Sequence, residues 1–395
     1  MKAKVVIGSA FGDEGKGLFT DYFSYNNPNS LVIRHSGGSQ AGHSVKTPNG
    51  IRHVFSHFGS GSLNGTPTYL SKFFIVNPLM FKKELTKLQE KSIIPILVVD
   101  SRCIVTTPYD MIINQIVENA RGDSRHGSCG VGINETIKRN EVFPISVIDL
   151  LNSSKLKETL IRIRKEYLFL RLSQLGVTIV PKEFLKIIES EKLLDNFIYD
   201  CSKFLEFITY DKPNFTDYDN LVFEGSQGLM LDQNSKHFPY VTPSNTGVKN
   251  VLEIIEEEKI VLEDIETVYL TRAYTTRHGA GNLPFETVGK TYAKIEDKTN
   301  IPNDFQGSLR FSPLNLDELI DSIYEDSKLL NKISIGITCV DQVDDEEKIV
   351  CILDNVIQYF SLSQIQTAFC MFMKKISMFY TSRGETRNTI TKGGE

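Results

Sequence analysis

The chain has 395 residues, of which 41% are hydrophobic and 24% are charged, values close to those of ordinary globular proteins. Its 49 acidic and 44 basic residues give a net charge of −5, which argues against a general polyanion-binding surface because such a surface carries a basic excess. We therefore expect no nucleic acid as a partner, although a small phosphorylated ligand needs only a few local donors.

The sequence contains no segment typical of targeting or membrane insertion. The apolar run at residues 5–7 is too short for a signal peptide, and no stretch approaches the roughly 18 to 20 apolar residues of a membrane span. The six cysteines show neither a Cys-x-x-Cys pair nor the spacing of a metal finger, so we interpret them as free thiols of a reducing compartment. We therefore expect a cytoplasmic protein with no membrane partner.

Predicted strands and helices alternate along the chain. The first unit is a strand at 5–7, a glycine-rich turn and a helix at 18–23, and the second begins with a strand at 31–33. Further strands are predicted at 93–99, 221–223, 268–270, 333–337 and 376–381, and further helices at 81–91, 108–120, 153–175, 316–330 and 363–375. This alternation predicts an α/β fold, a single domain over residues 1–395 with a central, mainly parallel sheet and a helical excursion at about residues 150–220.

The turn after the first strand has the composition of an anion-binding loop. Residues 12–17 place backbone N–H groups and Lys16 at a helix N-terminus. The pattern is not a standard P-loop, because Ala10 stands where the first Gly belongs and Gly17 replaces the Ser or Thr. Asp13 lies inside this loop, where a carboxylate repels phosphates unless a metal lies between them or it accepts a proton. Asp13 is thus a candidate magnesium ligand or general base, or else only the cap of the helix.

Two more loops rich in small residues follow predicted strands. His43 ends the loop at 37–43, and Gln227 lies between Gly225 and Gly228. Since parallel strands end at the same edge of a sheet, these loops can face one crevice. His43 there is able to donate to a transferring phosphoryl group, and Gln227 to read the edge of a base. Alternatively, His43 is an ordinary loop residue and the 225–228 segment an ordinary turn. We interpret the other histidines, His35, His53, His57, His126, His237 and His278, as structural or surface residues.

Six segments in order resemble the motifs of the adenylosuccinate synthetase family. They are residues 8–17, 37–44, 127–133, 223–232, 240–246 and 273–281, and they extend over most of the chain. The resemblance implies a P-loop-NTPase-like α/β fold and a C–N ligase. That family joins L-aspartate to C6 of a 6-oxopurine nucleotide through a 6-phosphoryl intermediate, driven by nucleoside triphosphate hydrolysis.

The resemblance also implies roles for individual residues. The position of Asp13 is the family's base and a Mg²⁺ ligand, and the carbonyl of Gly42 is a second Mg²⁺ ligand. His43 is implied to donate to the transferring phosphoryl oxygens, while Lys16 and the loop around Gly12, Gly15 and Gly17 neutralise migrating charge. Purine nucleotide contacts are implied for Gln40, Gln227, Ser128, Thr242 and Arg139, the last reaching the 5′-phosphate from a neighbouring subunit and so requiring a homodimer.

The expected donor and aspartate sites depart from the family pattern. Asp341 follows a predicted strand and favours GTP, but Cys339 stands where the family has Lys, which leaves ATP or dATP open. Ser382 and Gly384 resemble a C-terminal contact to the donor base, or else belong to a polar tail. The family binds the carboxylates of aspartate with a run of arginines, and of this run only Arg310 is present here. Arg277 is a second candidate for binding aspartate.

Two alternatives stay open. A branch of the family in some phages uses dGMP and makes the precursor of 2-aminoadenine; the retained Asp13 favours IMP, whereas the divergent loops, including Gln40 in place of Asn, keep dGMP possible. From another class, the chain could be a GTP-binding regulatory protein without ligase activity. Against that interpretation, a protein that only binds phosphates does not require both Asp13 and His43, and it does not require a separate purine site.

Overall fold

Nine strands form the central sheet within residues 1–122, 127–297 and 307–393, the parts of the chain that the computed structural model describes. In their order across the sheet they are β16 (Ile390–Lys392), β15 (Ile376–Ser382), β12 (Ile333–Thr338), β8 (Asp264–Arg272), β1 (Lys2–Gly8), β7 (Asn220–Gly228), β2 (Ser30–Arg34), β5 (Thr68–Leu70) and β6 (Leu97–Val99). All neighbouring strands are parallel except β16, which is antiparallel to β15. The prediction of a single α/β domain with a mainly parallel sheet is confirmed.

Smaller sheets and the helices surround this sheet. The additional strands are β3 (His43–Lys46) with β4 (Arg52–Phe55), β9 (Thr275–Arg277) with β10 (Arg310–Ser312), and β11 (Leu314–Asn315), β13 (Ile349–Leu353) and β14 (Val356–Phe360). The helices are α1 (Lys16–Asn26), α2 (Pro78–Gln89), α3 (Pro108–Arg121), α4 (Ile133–Asn140), α5 (Ser153–Arg162), α6 (Leu168–Gln174), α7 (Lys182–Ile188), α8 (Glu191–Phe207), α9 (Lys249–Glu257), α10 (Leu316–Asp326) and α11 (Leu362–Phe372). None of them, in the ranges described above, is long and apolar enough to cross a membrane.

Strand β1 shows why the sheet is buried on both faces. Its side chains alternate, so that Val5 and Ile7 join one core cluster and Val6 joins another, and all three are fully buried. Helix α1 covers the Val6 face with Phe19 and Phe23, while α9, α10 and α11 contribute to the opposite cluster. A third cluster lies among α2, α3 and α5–α8 beside β5 and β6. The carboxyl ends of the central strands therefore open between two helical layers.

Several predicted boundaries are wrong for identifiable reasons. The strand predicted at 93–99 begins only at Leu97, because Pro95 has no N–H for the ladder. The helix predicted at 153–175 is interrupted by a π-helical turn, Ile163–Tyr167, between α5 and α6. Strand β7 does not end at Glu224 but continues to Gly228, since Gly228 still pairs with Gly8 of β1. Gln227 is thus a strand residue rather than a turn residue.

Candidate active site

Three small-residue segments meet at the carboxyl edge of β1, β7 and β2, which lie side by side. A Cβ on Gly12 would lie 3.4 Å from Oε1 of Gln227, and one on Gly37 would lie 2.4 Å from Cβ of Ser226. The loop after β1 and the loop after β2 therefore both contact the end of β7. The segments that the sequence predicts to face one crevice thus lie in contact at this edge of the sheet.

Asp13 holds a left-handed backbone in the first loop. Its φ is 63°, between Gly12 at 96° and Gly15 at 87°, a conformation that Asp tolerates better than most residues. The N-cap of α1 is Gly15, with no capping side chain, so the alternative that Asp13 caps this helix is wrong. The Arg272 Nε donates to the Asp13 carbonyl at 2.5 Å, which holds the loop against the end of β8.

The Asp13 side chain has an ionic partner that sequence analysis missed. Nε2 of His278 lies 3.2 Å from its Oδ2, and the carboxylate keeps 28% exposure. Burial raises the pKa of Asp13, but the hydrogen bond from His278 and the charges of Arg272, His278 and Lys16 outweigh it and hold the pKa at about 2. His278, which the sequence led us to interpret as a structural or surface residue, therefore contacts a candidate catalytic residue. Its position directly after Arg277 in a matched motif was the available signal.

Inside the same loop, the Glu14 carboxylate binds N–H groups of the kind that the sequence led us to expect at a phosphate. The amides of Ala10 and Gly12 donate to its Oε1 at 2.8 and 2.9 Å, and Nζ of Lys16 lies 3.2 Å from its Oε2. Both Glu14 and Lys16 are buried. The Glu14 carboxylate thus satisfies two loop amides and neutralises Lys16 in the structure, a contact that the motif did not reveal.

His43 forms a buried pair with Glu224. The Nδ1 of His43 lies 2.6 Å from Oε1 of Glu224, and its Nε2 lies 3.4 Å from the carbonyl oxygen of Ser226. Glu224 also accepts from the Ser60 amide at 3.0 Å and faces Nε of Arg34 at 4.0 Å. Glu224 was not among the site residues predicted from the sequence. A charged residue directly after the apolar run 221–223 was the available signal.

Burial and neighbouring charges have opposing effects on the pKa values of Glu224 and His43. Burial raises the pKa of Glu224, but the charges of His43 and Arg34 outweigh it and hold the pKa at about 2. Burial also lowers the pKa of His43, against the opposing effect of Glu224. In this pair the ionised carboxylate of Glu224 accepts the Nδ1–H of His43.

Among the residues expected at the purine nucleotide, Gln40 lies beside the loop after β2, since a Cβ on Gly37 would lie 3.5 Å from its Nε2. Both amide atoms of Gln40 are buried without a hydrogen-bond partner among the described residues, a costly arrangement that a ligand with a matching edge would relieve. The Ser128 hydroxyl pairs with the side chain of Asn114 at 3.0 Å. Thr242 is held by its backbone, which donates to the Leu231 carbonyl at 2.9 Å. A Cβ on Gly127 would lie 2.5 Å from Cα of Gly279, so the Ser128 loop contacts the loop that carries His278.

The two arginines expected at aspartate face each other across β9 and β10, where Arg277 pairs in register with Arg310. Arg277 is 1% exposed, lies 4.3 Å from the ring centroid of Phe11, and donates to the carbonyls of Asn282 and Tyr240 at 2.7 and 3.0 Å. Burial and the neighbouring Arg310 lower its pKa to about 10. The segment 305–311 around Arg310 corresponds to the family's aspartate-binding loop by resemblance, and its residues 305–306 lie outside the described residues, as does His126.

Arg139 does not lie where the resemblance placed it. It is fully buried, its Nη2 lies 3.0 Å from Oδ2 of Asp110, and its Nη1 donates to the Phe143 carbonyl at 2.8 Å. Nη2 also donates to the Val105 carbonyl at 2.5 Å. A guanidinium committed to these partners cannot extend to the phosphate of a neighbouring subunit, so that prediction is wrong.

Replacing Arg139 with leucine is expected to lower the free energy of unfolding by about 3 kcal/mol, because it leaves Asp110 buried and unpaired. Chemical denaturation measures this change. The matched control is Lys138→Leu on the same helix, whose pair with Glu141 is exposed and whose loss is expected to cost less than about 1 kcal/mol. A stable Arg139→Leu variant with a selective loss of purine nucleotide binding would instead assign Arg139 to the purine nucleotide site.

The residues expected at the donor nucleotide follow two other neighbouring strands. Asp341 is exposed, directly after β12, and Ser382 ends β15, which pairs with β12. The Ser382 hydroxyl donates to the carbonyl of Gly384 at 3.0 Å. Cys339 has a left-handed φ of 60°, and burial raises the pKa of its thiol. Thr338 joins this side to the first loop, since its hydroxyl donates to the Glu14 carbonyl at 3.2 Å.

Comparisons with known proteins identify the family of the chain. A sequence model of the family described as "Adenylosuccinate synthetase" matches residues 5–305. An adenylosuccinate synthetase of Limosilactobacillus reuteri is 32% identical over 304 residues, 75% of this chain and 67% of that protein. One of Clostridium botulinum is 30% identical over 386 residues, 94% of this chain and 86% of that protein.

Two solved structures share the fold. Fully ligated adenylosuccinate synthetase from Plasmodium falciparum superposes with a TM-score of 0.76 at 20% identity, covering 98% of each chain. The succinoaminodeoxyadenylate synthetase of cyanophage S-2L, bound to dGMP and to dATP as an energy donor, superposes with a TM-score of 0.58 at 13% identity, covering 99% of this chain and 95% of that one. The chain belongs to the adenylosuccinate synthetase family, and it is a ligase that forms carbon–nitrogen bonds.

Proposed function

We propose that the protein joins L-aspartate to C6 of IMP through a 6-phosphoryl intermediate, with GTP as the phosphoryl donor. The observation that carries this proposal is the convergence of an ionised Asp13, the His43–Glu224 pair and Gln227 at one edge of the sheet. A site that only bound a nucleoside triphosphate would not need a second set of groups fit for a purine monophosphate.

The chemistry explains why the site needs these residues. A purine 6-oxo group is a poor leaving group, so O6 first attacks the γ-phosphorus of GTP and the bond from that phosphorus to the bridging oxygen of GDP breaks. The N1–H becomes acidic as the bond from O6 to phosphorus forms, and the carboxylate of Asp13 accepts that proton. The amine of aspartate then attacks C6, the bond from C6 to O6 breaks, and O6 leaves as part of inorganic phosphate, which takes the proton that the amine loses. Gln227, beside Gly12, is suited to hold the purine at O6 during both steps.

His43 and Lys16 act on the charge of the phosphoryl group. A protonated imidazole that donates its Nδ1–H to Glu224 keeps an N–H at Nε2, and it donates that hydrogen to the phosphoryl oxygens as they approach. Lys16 at the start of α1 pairs with Glu14 in the structure, and it would add its positive charge to the phosphoryl group when phosphate oxygens replace that carboxylate. Positioned donors of this kind stabilise charge that develops only in the transition state.

The same residues fit a magnesium ion. The Asp13 carboxylate, exposed by 28% and ionised, and the exposed backbone of Gly42 offer the oxygen ligands that Mg²⁺ prefers. Mg²⁺ held there would neutralise charge on the γ-phosphoryl group and on the departing diphosphate.

Release of phosphate with L-aspartate tests the proposal when IMP, GMP and dGMP are each combined with GTP, ATP and dATP. We expect the highest kcat/KM with IMP and GTP, and no release above background when aspartate or the monophosphate is omitted. Because a cyanophage relative of this fold is bound to dGMP and dATP, a preference for dGMP would replace IMP in the proposal. Hydrolysis of GTP that depends on neither aspartate nor a monophosphate would instead support the regulatory GTP-binding alternative.

We further propose that the protein acts as a cytoplasmic homodimer, as the family resemblance implies. Since Arg139 is buried within its own subunit, it does not support a site shared between subunits. Light scattering on the purified chain, with and without IMP, measures the assembly, and a monomer under both conditions would contradict this part of the proposal.

A further inference from the structure

Four hydrogen bonds hold the guanidinium group of Arg310, the remaining arginine of the expected aspartate site. Its Nε and Nη2 donate to the two carboxylate oxygens of Glu286, the first bond being 2.9 Å long. Its Nη1 donates to the carbonyls of Gly279 and Gly281, both at 2.9 Å. Since a guanidinium has five N–H groups, these contacts leave one for any other acceptor.

This arrangement matters because arginine binds carboxylates best through two parallel N–H groups. The edge formed by Nε and Nη2 is occupied by Glu286, and both hydrogens of Nη1 point to backbone carbonyls. A substrate carboxylate can form a two-pronged contact with Arg310 only if the Glu286 carboxylate leaves.

Glu286 is able to leave at small cost. Its side chain is 40% exposed and that of Arg310 is 25% exposed, and exposed ion pairs of this kind contribute little to stability. The released carboxylate would be hydrated at the surface, whereas the two carbonyl contacts would still hold Arg310 in place.

The positive charge beside this pair favours an incoming anion. Arg277 lies opposite Arg310 in the register of β9 and β10, it is 1% exposed, and its Nε has no hydrogen-bond partner among the described residues. The single carboxylate of Glu286 thus pairs with one of two neighbouring guanidinium groups. An α-amino dicarboxylate brings two negative charges to the same place.

We propose that Glu286 is a specificity-determining residue that occupies the carboxylate-binding edge of Arg310 and is displaced by the side-chain carboxylate of L-aspartate. The proposal rests on the ligase function proposed above. The Glu286 carboxylate has the same chemistry as the side chain of the substrate, so it yields only to another carboxylate. An amino acid with a neutral side chain, such as L-asparagine, leaves the ion pair closed and is rejected.

Steady-state kinetics of Glu286→Gln test this proposal. Removing the competing charge is expected to lower the KM for L-aspartate about three- to fivefold, with kcat at saturating aspartate within about twofold of the parent. The matched control is Glu166→Gln, whose pair with Arg162 has the same two-pronged geometry, at 3.2 and 3.1 Å, on an exposed helix. Its KM for aspartate is expected to equal that of the parent.

Equilibrium dialysis with labelled L-aspartate, in the presence of IMP and GDP, gives a second measurement that needs no turnover. Tighter binding to Glu286→Gln than to the parent supports the proposal, and unchanged or weaker binding overturns it by making Glu286 a residue that only positions Arg310. If the parent protein releases no phosphate with any purine monophosphate and aspartate, the ligase proposal fails instead, whatever Glu286→Gln does.

Discussion

Replacing Asp13 with asparagine is expected to reduce kcat by about 10³-fold or more while leaving the fold intact. The variant loses the group that accepts the N1 proton, a contribution of roughly 10²- to 10⁴-fold in general base catalysis, and also an anionic oxygen suited to Mg²⁺. Asparagine is a better test than alanine because Asp13 has a φ of 63°, which asparagine tolerates and which costs alanine about 1 kcal/mol. Asp13→Ala is expected to be equally inactive and slightly less stable.

Single-turnover phosphate release measures this loss, and thermal unfolding measures the fold. Asp354 provides a matched control, since it has a similar φ of 53° on an exposed turn. We expect Asp354→Asn and Asp354→Ala to reproduce the stability changes of the Asp13 variants and to retain normal turnover. A kcat within about tenfold of the parent for Asp13→Asn would exclude Asp13 as the base.

Replacing His43 with asparagine is expected to lower kcat by roughly 10²- to 10⁴-fold, because the variant cannot carry a proton to the phosphoryl oxygens. A loss below about tenfold would make His43 an ordinary loop residue. Binding of IMP, measured separately by dialysis, is expected to be nearly unchanged, since the effect arises in the transition state.

The variant Glu224→Gln tests whether the contribution of His43 to kcat depends on its carboxylate partner, because it removes the carboxylate and keeps the imidazole. The carboxylate orients His43 through Nδ1 at 2.6 Å and favours its protonated form, so its loss is expected to lower kcat about 10²-fold with the imidazole still present. Glu84→Gln is the matched control, because Glu84 is also a buried carboxylate beside a histidine, His57, at 3.5 Å. We expect that variant to be less stable but to keep its kcat. Equal losses of kcat in both variants would indicate a general folding defect.

Much of the fold was predictable because its information is local. The β-branched run at the start of β1, the glycine-rich turn and α1 are neighbours in sequence, and the alternation of strands and helices implied a parallel sheet. The prediction failed where a backbone detail or a distant pairing decided the outcome. Pro95 shortened β6, and pairing with β1 extended β7 through Glu224 to Gly228.

The candidate site divides in the same way. The sequence alone was enough to single out Asp13, His43 and Gln227, because each is placed by the loop or strand end next to it in the chain. The hydrogen-bond partners of His43 and Arg139 are distant in sequence. Glu224 is 181 residues from His43, and Asp110, which binds Arg139, is 29 residues from it. A motif does not contain these distances, since hydrogen bonds and ion pairs form only between atoms that packing brings within about 3 Å. The tertiary structure therefore decided that His43 has a buried carboxylate partner, that Arg139 binds Asp110 within its own subunit, and that the Glu286 carboxylate pairs with the Arg310 guanidinium.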